Sequence, residues 1–117
     1  MGNGSYFSDD NVQYQADFVG AARAHYNISV DYIGIWNERP WGDTNYVKKL
    51  RNALDAVGAQ YTTIIGSDAV RNVPLDLLTA LSDDASFSSI VNTVGVHYAC
   101  NRTLPPSFWS LKVCCPL

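Results

Sequence analysis

Three polar residues, Glu38, Asp68 and His97, close three short apolar runs at intervals of 30 and 29 residues. The runs are Tyr32-Ile-Gly-Ile-Trp36, Gln60-Tyr-Thr-Thr-Ile-Ile-Gly66 and Ile90-Val-Asn-Thr-Val-Gly-Val96. Each has strand length, and the first, apolar on both faces, reads as a parallel strand buried between layers. Between the runs the periodicity becomes helical. Val12, Ala16, Val19, Ala22 and Tyr26 mark one face of a helix over 11–26, with Asp9 or Asp10 as its N-cap. Val47, Leu50, Leu54 and Val57 mark a second helix over 45–57, with Gly58 where a helix C′ residue belongs. Lys48, Lys49, Arg51 and Asn52 fill the solvated face of that helix. Leu75, Leu78 and Leu81 begin a looser helix over 74–90, with a break around Ser82-Asp-Asp84.

Helices alternating with short apolar strands require a parallel sheet. A βα unit of about 30 residues repeated eight times gives the (β/α)8 TIM barrel of roughly 250 residues. The α/β fold class predicted here is therefore a partial TIM barrel. Its strands lie near 32–37, 61–66 and 91–96, adjacent in that order, with Glu38, Asp68 and His97 opening on one side. An open doubly wound sheet is the alternative, although no glycine-rich phosphate loop follows any strand. Residues 1–98 make up this unit. Residues 99–117 contain Pro105-Pro106, Pro116 and clustered cysteines, and are expected to form an irregular tail.

Composition isolates one residue. The chain has 11 acids, and Glu38 is the only glutamate among them. It stands at the carboxyl end of a strand, where α/β folds place their active sites, just before Pro40 ends the ladder. A net charge of −3 without a basic cluster argues against nucleic acid and anionic membrane surfaces. No apolar run approaches the roughly 20 residues of a membrane span. The N-terminus lacks the basic and apolar regions of a signal peptide, yet Asn3, Asn27 and Asn101 each open an N-glycosylation sequon. Cys100, Cys114 and Cys115 are odd in number and form no C-x-x-C motif, and His25 and His97 lack ligand spacing to them. No metal or cofactor is expected.

The run Asp31-Tyr-Ile-Gly-Ile-Trp-Asn-Glu-Arg-Pro40 resembles the fourth barrel strand of glycoside hydrolase family 59. The likeness includes Val19-Gly-Ala-Ala-Arg23 and His25 upstream, and Asn45-Tyr-Val-Lys-Lys-Leu-Arg51, Ile64-Ile-Gly-Ser-Asp68 and Val94-Gly-Val-His-Tyr98 downstream. It spans about residues 10–98, and Ala99-Cys100 departs from the family's Pro-Gly. The resemblance implies strands four to six of a lysosomal or secreted enzyme that removes β-galactose from galactosylceramide and related galactolipids, with retention. It assigns general acid/base chemistry to Glu38. The nucleophile it implies is a second glutamate at the end of a seventh strand, and this chain contains no second glutamate.

Retention needs two carboxyl groups about 5–5.5 Å apart, one acting as acid and then base, the other attacking the anomeric carbon. Glu38 lies between Trp36 and Trp41 in sequence, where desolvation would raise its pKa toward that of a working acid; a close Arg39 would oppose this. Asn37 either bonds the sugar 2-hydroxyl or serves the turn before Pro40. Trp36 is assigned to the core, while Trp41 is open between core and sugar stacking. Asp68 orients neighbours at the strand mouth or caps a turn. His97 and Tyr98, which the resemblance places near the nucleophile, support it, or His97 is simply a satisfied histidine. Alone, the chain is expected to be inactive, with open sheet edges that favour self-association. The rival readings are a non-catalytic sugar- or partner-binding α/β remnant and a complete small α/β domain.

Overall fold

The computed structural model describes residues 5–70, 73–97 and 112–114. The elements run α1 (Asp9–Tyr26), β1 (Tyr32–Gly34), α2 (Thr44–Ala56), β2 (Thr63–Val70), α3 (Leu75–Asp83), α4 (Ala85–Ile90), β3 (Val91–His97) and β4 (Lys112–Cys114). The four strands form one sheet in the order β1-β2-β3-β4, and every neighbouring pair is parallel. The predicted adjacency of the first three strands is thus found.

Local chemistry sets the helix limits. Ser8, not Asp9 or Asp10, caps α1 by accepting from the Asn11 N–H, and the two aspartates fill the first turn, where the helix dipole favours negative charge. Asn27 ends α1 in the left-handed region at φ 54°, with its N–H turned back to the Ala22 and Arg23 carbonyls. Asp43 caps α2 with a 2.6 Å bond from the Tyr46 N–H, and Gly58 leaves the helix at φ 78°. The break in the third helical stretch falls at Asp84. Its carboxylate caps α4 through the Phe87 N–H at 2.9 Å and also receives Lys48 Nζ from α2 at 2.7 Å. The bond from Lys48, then those from Ser86 and the Phe87 N–H, hold this carboxyl well below the ordinary carboxylate range.

The helices cover the sheet through the stripes their spacing predicts. Ala16 and Val19 of α1, Val47, Leu50 and Leu54 of α2, Leu77 of α3 and Phe87 of α4 are buried against Ile64, Val91 and Val94. Each large apolar side chain removed from water in this way contributes about 1.5–3 kcal/mol.

Three expectations require correction. The first strand is not a fully buried run over 32–37. It has three residues, and Tyr32 is 60% exposed. In the described sheet β1 is an edge strand, so an apolar run had stood in for burial that only one neighbour supplies. The ladder stops at Ile35, whose carbonyl accepts the Tyr6 hydroxyl at 2.6 Å. Second, β2 runs on to Val70, so Asp68 lies within the strand and not beyond its end. Third, Lys112–Cys114 pairs with Thr93–Gly95 as a parallel strand, so the stretch from 99 onward is not wholly irregular. The rest of that stretch, and Tyr98, lie outside the described residues.

Candidate active site

Glu38 is placed by the way β1 ends. Trp36 stacks on Tyr6 with ring centroids 3.8 Å apart and planes 6° off parallel, and Phe7 meets it edge-on. Fixed there, the chain turns at Asn37-Glu38. Glu38 takes φ 52°, a left-handed conformation uncommon for a non-glycine residue. Its N–H donates to the Asp68 carbonyl at 2.8 Å, which ties the turn to β2.

Asp68 reaches the same spot through an irregularity in register. Ile65 pairs with Thr93, but the next pair on the ladder is Asp68 with Gly95, so β2 carries one residue more than β3 over this step. In a regular strand, residues three apart point to opposite faces. The extra residue returns Asp68 to the face of Thr93, Gly95 and His97. Gly95 leaves room for it: a Cβ there would stand 2.9 Å from the Ser67 carbonyl oxygen and 3.2 Å from Asp68 Oδ1.

His97, the last residue of β3, lies between the two acids. Its Nε2 is 2.6 Å from Asp68 Oδ1 and its Nδ1 3.1 Å from Glu38 Oε1. All three side chains are about one-third exposed or slightly less, with His97 the most covered at 27%. The hydrogen bond to Asp68 raises the imidazole pKa above its ordinary value; the charges of Asp68 and Glu38 add to this, and partial desolvation opposes it. The two acids lie on opposite ring nitrogens and do not converge on one point, and no group among the described residues is placed to hold a metal ion.

The three residues spaced 30 and 29 apart in sequence thus meet in one cluster. The other candidates fare differently. Asn37 is exposed in the same turn as Glu38. Trp41 is only 5% exposed and packs on Phe87 at 5.5 Å, so it belongs to the core and offers no face to a sugar. Tyr98 lies outside the described residues. Sequence reasoning missed Gly95 and Tyr6. A glycine inside an apolar strand is a sign of close backbone approach that could have marked the first; Tyr6 precedes the first helical stripe and carried no signal.

A parallel sheet with carboxylates and an imidazole gathered at the carboxyl ends of adjacent strands is the layout of an α/β enzyme. The profile of glycosyl hydrolase family 59 matches residues 1–112. Galactocerebrosidase of Mus musculus is 35% identical over 117 residues, covering 97% of this chain and 16% of the relative. That of Homo sapiens is 37% identical over 103 residues, or 84% of this chain and 14% of the relative. That of Danio rerio is 35% identical over 99 residues, covering 85% and 14%. The chain belongs to glycosyl hydrolase family 59. It spans about a seventh of the length of these curated relatives.

Proposed function

We propose that residues 1–98 form strands four to six of a (β/α)8 barrel, the acid/base half of a retaining galactosidase site. The observation that carries this is the placement of Glu38, the sequence's only glutamate, at the carboxyl edge of a parallel sheet and against His97 at 3.1 Å. In this reading Glu38 protonates the leaving oxygen and then takes the proton from the attacking water. Asn37 bonds the sugar 2-hydroxyl, and Asp68 and His97 support Glu38. The nucleophilic carboxylate comes from a part of the parent enzyme outside these residues. The relatives' name points to galactosylceramide as substrate, and the family resemblance implies a lysosomal or secreted parent. Among the described residues no helix is long and apolar enough to cross a membrane.

The test is a chimaera in which this chain replaces the aligned segment of the mouse relative, assayed on galactosylceramide with and without Glu38→Gln. Activity in the first and a loss of at least about 10²-fold in the second is expected. A Glu38→Gln chimaera as active as its parent would overturn the assignment.

A further inference from the structure

We propose that His97 is a positioning residue that shares a single proton with Glu38, and that Asp68 holds the ring in the tautomer which makes this sharing possible. The proposal rests on the acid/base reading of Glu38 for its catalytic meaning, but its geometry stands independently. Asp68 Oδ1 lies 2.6 Å from Nε2, a short contact even for a charge-assisted bond in which the ring donates. The proton on Nε2 is thereby fixed, and in the neutral ring Nδ1 presents a lone pair.

That lone pair faces Glu38 Oε1 at 3.1 Å. An ionised Glu38 opposite a neutral ring would set lone pair against lone pair, and no hydrogen bond would form. The contact closes only with one proton in it, as imidazolium with carboxylate or as imidazole with carboxylic acid. The proton in this contact is therefore shared by the two groups and belongs to neither alone. Asp68 from β2 and Glu38 from the turn after β1 are the charged groups that the described residues place against the ring, and both favour keeping the proton. The backbone bond from the Glu38 N–H to the Asp68 carbonyl holds the acids on either side of the ring. A carboxyl that must give and regain a proton thus has one stored beside it, shielded in part from solvent.

Nitrogen-15 NMR of the imidazoles in the intact chain tests this directly. His25, the only other histidine, is exposed and serves as the reference, assigned by His25→Asn. We expect His97 to titrate at higher pH than His25 and to be the Nε2–H tautomer when neutral. Glu38→Gln should lower the His97 midpoint, and Asp68→Asn should lower it and release the tautomer, with Asp68→Glu restoring both in part. A neutral ring protonated on Nδ1 would refute the proposal in the unmodified chain, without recourse to variants that fail to fold. So would a midpoint that Glu38→Gln leaves in place. Loss of this coupling would leave the chimaera result on Glu38 untouched, and an inactive chimaera would leave the titration untouched, so the two readings fail separately.

Discussion

Gly95 stands directly opposite Asp68 across the β2–β3 ladder, and the space a side chain would need there is already taken by the Ser67 carbonyl and the Asp68 carboxylate. Gly95→Ala should force the strands apart or drive Asp68 off the ring. Overpacking of this kind costs about 1–3 kcal/mol. Urea unfolding would give the loss of stability, and the His97 resonance should move toward that of His25. An alanine variant with unchanged stability and unchanged His97 titration would show that the site tolerates the methyl group.

The raised His97 pKa makes part of the stability depend on pH, with a definite sign. A group whose folded pKa exceeds its unfolded value binds the proton more tightly when folded. Its contribution is fully present below the unfolded value of about 6.5 and is lost as pH rises through the folded one. Denaturation midpoints of the chain and of His97→Gln should therefore differ most in mildly acidic buffer and converge in alkaline buffer. Curves that stay parallel across that window would contradict the linkage.

Asp84 acts in the opposite sense. Its carboxyl is held below the usual range by the Lys48 bond first and by capping of α4, so its contribution is present above the unfolded value of about 3.9 and disappears as pH falls through the folded one. Asp84→Asn should lower the thermal midpoint at neutral pH, with the gap to the parent closing in strong acid. Lys48→Met should reproduce the part of the effect that added salt weakens.

Phe87 has no exposed surface and packs on Trp41 where α4 meets the core. Phe87→Ala should cost about 3–5 kcal/mol through lost burial and the cavity left behind. For so small a core that is a large share of the total, and circular dichroism should show a chain folded poorly or not at all. Leu75→Ala, on the same side of the sequence but 78% exposed, should be near neutral.

The sequence made some of this plain and hid the rest, for physical reasons. The helical stripes of Val12-Ala16-Val19 and Val47-Leu50-Leu54 were legible because a 3.6-residue period is written locally. The parallel order followed from alternation, and the spacing of Glu38, Asp68 and His97 put them on one side of the sheet, though not yet in contact. The exposure of Tyr32 was not legible, because burial of a strand depends on its neighbours and not on its own letters. The short strand Lys112–Cys114 was missed for the same reason: three residues carry almost no pattern, and their pairing with Thr93–Gly95 supplies the ladder. Trp41 read equally well as core or sugar platform, and only packing on Phe87 separated the two. The extra residue between Ile65 and Asp68 has no sequence mark at all.

The left-handed backbone at Glu38 has an evolutionary consequence. At φ 52° glycine and asparagine fit the chain more comfortably than glutamate does. In a lineage released from the need for this carboxyl, drift at position 38 should run toward those two residues, since either relieves the backbone. A glutamate at this position carries that backbone cost, and a glycine there would relieve it only by giving up the carboxyl.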